Sequence, residues 1–516
     1  MSGRRARGAL LVAALTIAAA PARGQFALPT DFVDEAVIGG FAEPVGMAML
    51  PDGRLFVIER ATARVRLLVQ GALAAIDPVV TVPGVDASYG EEGLLGIAVD
   101  PGWPARPYLY LQYTVTGEPI HRIARFTAAG DLAFTGNGAL TIDPATRYDV
   151  LIAPHEAEFH NGGTLRFGPD GMLYSSLGDY TLCGAQTLGD LRGKILRLDV
   201  SGLPPGPGGP APRALITPAD NPFAAHPQPD ARLVWQWGLR NPFRFALDPA
   251  TGEMTIGDVG GDQREEVNHA PTPGLNFEWI IYEGDVPGPL SCPNVDSTAF
   301  TGPIYTYDHS EGAAVIGGVI YRRPPGAPGP FPPAYEGNIF FSDFYGNWIR
   351  RLKRSGNTWS LAPAPGQPNA TDWAVGPYFI SDWLVAHDGT LWYCAMLGPS
   401  GVGPGFIRRI RYGGVVSAPP PPAAGPEFHP PHPNPARAGV TLEFMLAKPG
   451  TVALSIHDLA GRRVRSLIAA TPHPAGPRRL QWDGRDARGE ALPAGIYRAR
   501  LTVAGGTLER RVVLVR

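Results

Sequence analysis

Short apolar runs, each launched by a turn of Asp, Pro and Gly, recur along most of the chain. They read PDGRLFVIE from Pro51, DPGWPARPYLYLQY from Asp100, PDGMLYSSLGD from Pro169, DPATGEMTIGD from Asp248, YEGNIFFSD from Tyr335 and HDGTLWYCA from His387. A second run with basic residues follows most copies: ARVRLL, HRIARF, GKILRLDV, NWIRRL and FIRRIRY. The fourth copy leads instead into EEVNHA. Each unit reads as a hairpin that cannot bury its apolar face alone, so neighbouring units must stack. Six units at irregular spacing predict an all-β fold, a six-bladed β-propeller with long insertions over residues 25–412. A turn-rich β-sandwich explains the six-fold recurrence less well. Insertions of a propeller gather at the mouth of its channel, where a site is built most readily.

The pattern changes after the sixth unit. GGVVSAPPPPAAGPEF, 413–428, predicts an extended, semi-rigid linker. Beyond it TLEFMLA, TVALSIHDLAGRRVRSL, the IYRARLTVAGG run and TLERRVVLVR alternate with Gly/Asp turns. They predict a small Ig-like β-sandwich over 429–516, with Trp482 and Tyr497 in its core. At the other end, MSGRRARGALLVAALTIAAAPARG, 1–24, has a basic start and an apolar run, Ala9 to Ala20, too short to span a bilayer. With Ala22-Arg23-Gly24 as a cleavage site it reads as a secretory signal. No later segment reads as transmembrane. The mature protein is expected to be exported: secreted, periplasmic or on the cell surface.

The 516 residues exceed one core, and 65 Gly with 56 Pro favour strands and turns over long helices. Charge divides unevenly: residues 425–516 carry +7 and residues 25–424 carry −14. That balance argues against nucleic acid for the main domain and suits a cation. The arginines of the tail read as solvated strand faces. Three cysteines, Cys183, Cys292 and Cys394, allow at most one disulfide, with the pairing left open. Nothing matches a CxxC zinc pattern. GVGPGF at 401 lacks the full dinucleotide fingerprint and leads into a basic strand, so nicotinamide cofactors fit poorly.

The stretch HEAEFHNGGTLRFGPDG, His155 to Gly171, has the densest chemistry. In an extended chain Glu156, Glu158 and His160 share one face and His155 points to the other, so the two histidines are poorly placed to chelate one ion. The spacing is not that of a helical zinc site. The Gly-Gly pair after His160 permits a sharp turn or the close approach of a flat ligand.

Seven segments then add a resemblance: FAEPVGMAMLPDGRLFVIER, GEEGLLGIAVDPGW, HNGGTLRFGPDGMLYSSLGD, RGKILRLDV, WGLRNPFRFALDP, GDVGGDQREEVN and VIGG with YRRPPG. In this order, over about residues 38–412, the chain resembles the soluble quinoprotein sugar dehydrogenases, the glucose/sorbosone dehydrogenase family. The resemblance implies a six-bladed propeller binding pyrroloquinoline quinone (PQQ) and Ca²⁺. It implies His160 as general base and Asp179 as the carboxylate that hydrogen-bonds and orients it. Arg240 and Asn241 match the pair that contacts the quinone, and Glu91 falls near the sugar. Gly260 and Gly261 match the turn whose carbonyls hold calcium, with Asp258, Asp262, Glu265 and Glu266 around it. The residues meeting the quinone carboxylates fall at Arg322 or Arg323 and at Trp348, with Arg350 and Arg351 following. Arg322 and Arg351 are therefore the expected contacts, and Trp348 reads as core.

The implied activity is oxidation of the anomeric hydroxyl of aldose sugars to lactones, with an external electron acceptor. An imidazole near pKa ~6.5 suits the proton, a quinone must take the hydride, and a hard cation with an arginine stabilises the charge that develops. GDVGGDQREEVN also resembles the version in Hedgehog-interacting proteins. That leaves an alternative, a non-catalytic calcium-containing propeller that binds a protein or glycan. The tail resembles hook-capping-like Ig domains and type IX secretion sorting domains, which implies secretion or cell-surface machinery as a partner.

Overall fold

The computed structural model describes residues 27–515 apart from short internal stretches, the longest being 293–299 and 414–426. The signal-like segment and nearly all of the proline-rich stretch lie outside the described residues. The chain divides into two compact units between Val415 and Val416. Both are built of strands, and the one α-helix among the described residues is the single turn Arg213–Ile216.

Among the described residues, the first unit holds six antiparallel sheets of four or five strands, beside a two-stranded ribbon. Their first strands are Pro44–Met49, Leu94–Val99, Leu165–Phe167, Arg244–Leu247, Val315–Ile320 and Ile380–Val385. First strands of neighbouring sheets pack side by side, the last against the first, except that the third and fourth sheets meet through a shared core of Tyr174, Ile195, Phe245 and Ile256, so the sheets form a ring. The ring is tied shut by the chain's own start: Phe32–Phe41 pairs antiparallel with Gly405–Tyr412, at the far end of the same unit. The unit is thus a β-propeller.

Each recurring turn joins the first strand of a sheet to the second. At Pro51–Gly53 the Asp52 carboxylate accepts the Arg54 N–H at 3.0 Å, and Gly53 takes φ +87°. Asp170 and Gly171 repeat this, with φ +76° at the glycine. A left-handed φ is nearly free only for glycine, and Asp closes the turn locally, which is why the pair starts the hairpins at Asp52-Gly53, Asp170-Gly171 and Asp388-Gly389. The basic residues of the third strands pair with carboxylates: Arg197 with Asp170 and Asp220, Arg66 with Glu59 and Asp77, Arg350 with Glu311 and Asp372. Trp348 is buried in the core between the fourth and fifth sheets, its indole N–H donating to the Glu311 carbonyl.

The second unit has a three-stranded sheet containing Val440–Leu446 and Gly476–Trp482. It also has a four-stranded sheet ordered Arg463–His473, Gly450–His457, Gly495–Val503, Gly506–Leu514. Both contribute to one core, in which Trp482 and Tyr497 meet edge to face at 5.7 Å.

Candidate active site

Three loops that lead into first strands meet at one end of the channel: Gly90–Glu92, His160–Gly163 and Arg240–Asn241. Asn241 joins them. Its Oδ1 accepts the Gly162 N–H at 3.0 Å, and its Nδ2 donates to Glu91 Oε2 at 3.2 Å. The same Glu91 oxygen accepts the main-chain N–H of His160 at 3.0 Å and of Asn161 at 3.3 Å. Beneath them the buried Asp258 carboxylate accepts the N–H groups of Arg240 (2.9 Å) and Asn241 (2.7 Å). An acceptor shared by consecutive N–H groups fixes the backbone that carries the guanidinium.

His160 does not continue a strand. Its φ is +63°, so the alternation expected for an extended segment breaks there. Glu156 lies outside the described residues. His155 points elsewhere and pairs its Nε2 with Glu92 at 3.0 Å in a buried position. The His160 backbone is crowded: a Cβ on Gly178 would lie 2.0 Å from the His160 carbonyl oxygen. The Nδ1–H of His160 donates to the main-chain carbonyl of Asp179 at 3.0 Å. This corrects the expectation that the Asp179 carboxylate orients the ring. That carboxylate instead accepts the Ala185 N–H at 2.9 Å. The consequence for the ring is the same in kind: with Nδ1 committed as donor, neutral His160 keeps its lone pair on Nε2.

Burial first, and the positive charge of Arg240 second, push the His160 imidazole down to about 4. Burial raises Glu91 despite its N–H donors. Burial also raises Asp258, with the Glu265 carboxylate adding to it, and Glu266, which faces Asp258 across the ladder and is raised further by its charge.

A cavity of about 220 Å³ opens here, lined by His160, Asp179, Tyr180, Arg240, Gly261, Asp262 and Gln263, with Trp279, Ile280, Glu283 and Pro289. Arg240 donates to the Val259 carbonyl at 3.0 Å and holds its guanidinium 5.3 Å from the centre of the Trp279 ring. The Tyr180 ring lies 5.5 Å from that of His160. Cys183 and Cys292 are joined, and the bond packs with Ala185, Trp279 and Ile280. Cys394 is a buried free thiol. Nothing in the sequence pattern marked Trp279, Tyr180 or Glu283. Trp279 and Glu283 lie in an insertion, and Tyr180 only neighbours a motif.

Three expected cofactor contacts are elsewhere: Asn241 is buried outside the cavity lining, its amide committed to Gly162 and Glu91. Arg322 is held by Asp248 and Glu336, and Arg351 by the Ala362 carbonyl with its guanidinium over Tyr335. Neither lines this cavity. The expected metal ligands also separate. Asp258 is spent on two N–H groups, and Glu266 accepts from Gly284 N–H and Asn268 Nδ2. Glu265 accepts from Val315 N–H and contacts His309. Among the described residues no three His, Cys, Asp or Glu side chains are grouped as a metal site. The Gly260–Gly261 turn is wound on Glu283, whose Oε1 accepts the N–H groups of Gly261, Gln263 and Arg264 at 2.7–2.9 Å. A carboxylate cage for calcium therefore does not fit. Main-chain carbonyls at Gly260–Gly261 beside Asp262 are what is left. A flat conjugated anion does fit, between the aromatic walls and the Arg240 guanidinium.

The family model for glucose/sorbosone dehydrogenases matches residues 41–362, and the model for the FlgD Ig-like domain matches 436–506. The HIPL2 protein of Arabidopsis thaliana is 38% identical over 233 residues, covering 39% of this chain and 32% of that protein. The chain thus spans about a third of the length of the HIPL proteins it matches. Aldose sugar dehydrogenase YliI of Escherichia coli is 26% identical over 318 residues, 60% of this chain and 73% of that one. The PQQ-bound aldose sugar dehydrogenase of Streptomyces coelicolor covers 74% of this chain and 99% of its own, at 23% identity and a TM-score of 0.53, a likeness of fold.

Proposed function

The chain belongs to the glucose/sorbosone dehydrogenase family, and from that premise we propose that it is an exported PQQ-dependent enzyme oxidising the anomeric hydroxyl of aldose sugars to lactones. The observation that carries this is the His160–Arg240 pair: a neutral imidazole with Nδ1 committed, beside a guanidinium, in one cavity with aromatic walls. His160 Nε2 takes the proton of the anomeric hydroxyl, and the Asp179 carbonyl holds the ring while the imidazolium forms. Arg240 supplies positive charge where negative charge develops. Glu91, fixed by three N–H donors and outside the cavity lining, ties the His160 and Arg240 loops together rather than meeting the sugar. PQQ held beside Arg240 would supply the hydride acceptor, and the Gly260–Gly261 carbonyls with Asp262 would hold a Ca²⁺ that polarises it. The rest of the reading is a six-bladed propeller over 25–412 and an Ig-like sandwich over 429–516 that serves sorting or surface attachment. A Cys183–Cys292 bond suits an oxidising compartment.

A second reading has support of its own: Arg322 and Arg351 lie away from the cavity. It is a non-catalytic calcium-containing propeller that binds a protein or glycan. The test adds PQQ and Ca²⁺ to the purified chain, with a redox dye and a panel of aldoses. Dye reduction that is lost in His160→Ala, with PQQ still bound, supports the dehydrogenase. No reduction with any aldose by the PQQ-loaded chain favours the binder.

A further inference from the structure

The exposed large aromatic side chains among the described residues are Tyr89, Phe159, Tyr180, Tyr282 and Tyr345, with 62%, 48%, 61%, 38% and 59% of their surface open. They are not scattered over the molecule. Tyr89 precedes Glu91 by two positions, Phe159 adjoins His160, and Tyr180 adjoins Asp179. Tyr282 sits between Ile280 and Glu283, both in the cavity wall. Tyr345 follows Ile339–Asp343, whose last residue pairs with Val315 at the start of a first strand, so it belongs to the same mouth. The loops that carry them are fixed to one another. Glu91 N–H donates to the Glu158 carbonyl at 2.8 Å, and the Phe159 ring lies so close to Gly90 that a Cβ there would meet it at 2.9 Å.

Exposed aromatics are costly on a soluble surface, and a cluster of them at a cavity rim marks a contact face. The chemistry of the contact follows from what accompanies them. None of the exposed large aliphatic residues, Leu73, Ile76, Leu215 and Ile496, lies in these loops. The rim instead interleaves flat rings with polar groups such as Asp262, Gln263 and the phenol hydroxyls. Protein hot spots are also rich in Tyr and Trp, so what decides is the cavity these rings surround and the polar groups set between them. Flat apolar faces edged by hydrogen-bonding groups match a ligand that is itself flat, with C–H groups on its faces and hydroxyls at its edge. A pyranose ring has that form.

We propose that these five side chains form a platform for the sugar rings that follow the reacting one, so that the substrate is the reducing end of an oligosaccharide or polysaccharide chain. The inference rests on the sugar-oxidation reading for its substrate class, but its test does not need turnover. Titrate the full chain, without cofactor, with malto-, cello- and chito-oligosaccharides of one to six units, their reducing ends converted to alditols. Binding of one series tightens at least tenfold between one and six units. That gain disappears in the Tyr89→Ala/Phe159→Ala/Tyr345→Ala variant, and Phe159→Tyr in the otherwise native chain keeps it. All five side chains are exposed, so an unchanged thermal midpoint separates lost binding from misfolding. Single aromatic-to-Ala variants take the place of the triple if that one does not fold. Affinity that does not grow with chain length in any series, or that survives removal of the rings, overturns the platform. Absence of dye reduction alongside length-dependent binding overturns only the oxidase reading.

Discussion

His160 Nδ1 and the main-chain carbonyl oxygen of Asp179 are 3.0 Å apart, and the Asp179 carboxylate turns away to the Ala185 N–H. Orientation of the base by a carbonyl means the side chain at 179 can change without freeing the ring. Asp179→Asn is expected to keep a measurable rate, because an amide oxygen still accepts from Ala185. His160→Ala is expected to lose about 10²–10⁴ in kcat, the usual worth of a positioned base. A rate for Asp179→Asn as low as that for His160→Ala would show that the carboxylate, not the carbonyl, does the orienting.

The lowered His160 value sets a direction for pH. Imidazole at about 4 is neutral throughout the neutral range, so kcat/KM is expected to rise through about pH 4 and then stay level. Arg240 is the second cause of that lowering, so Arg240→Gln moves the acid limb upward. Stability follows the same sign. The folded value lies below the unfolded ~6.5, so the unfolded chain binds more protons between the two values. This contribution is complete above pH ~6.5 and is lost as pH falls toward 4. Thermal midpoints over that window, compared with those of His160→Gln, isolate it.

Recurrent turns with Asp and Gly made the hairpins legible, because a left-handed φ is a local demand that the residue itself meets. HNGG and LRNP fall on two loops that meet: Gly162 and Gly163 both take positive φ, and Asn241 bonds across to Gly162. The direction of side chains was not legible. Asp179 reads as a carboxylate partner, yet the backbone at 179 makes the bond. Arg322 and Arg351 are expected contacts only through the family resemblance, and the nearest carboxylate or carbonyl decides where a long side chain goes. For Arg322 that was Asp248. Trp279 lies outside every motif and reaches Arg240 through the packing of an insertion against a disulfide.

Gly178 tests the crowding behind His160. An added Cβ would stand 2.0 Å from the His160 carbonyl oxygen and 3.2 Å from that of Arg240. Gly178→Ala must move one of the two loops, at a cost of about 1–3 kcal/mol or more in stability, and it displaces the base. Gly171→Ala is the control. Nothing lies within 4 Å of its Cβ, but φ is +76°. Strain alone costs it about 1–2 kcal/mol, with kcat unchanged. Equal activity losses in the two would place the Gly178 effect in global stability.

The Cys183–Cys292 bond holds two cavity residues, Trp279 and Ile280, against Ala185 across 109 residues of sequence. The double variant Cys183→Ser/Cys292→Ser is expected to lose about 2–4 kcal/mol in urea denaturation. Trp279 supports the Arg240 guanidinium, so KM for sugar and affinity for PQQ should both weaken, more than in Cys394→Ser, whose thiol is buried away from this cavity. Unchanged PQQ affinity in the double variant would mean that Trp279 is held by its other neighbours.

Asn241 bonds to two loops with one amide, and its two replacements separate those bonds. Asn241→Ala leaves the buried Gly162 N–H without its acceptor, which costs about 1–3 kcal/mol, and removes a donor from Glu91. Asn241→Asp keeps an acceptor for Gly162 but sets a second carboxylate where a donor had met Glu91, which burial already raises. At pH 7 the Asp variant is expected to be the less stable of the two. Its deficit should shrink as pH falls and the carboxyl pair takes up a proton, whereas that of the Ala variant should not. Thermal midpoints of both variants from pH 5 to pH 8 read this difference. Parallel curves would show that Glu91 and residue 241 do not share the contact that joins the loops.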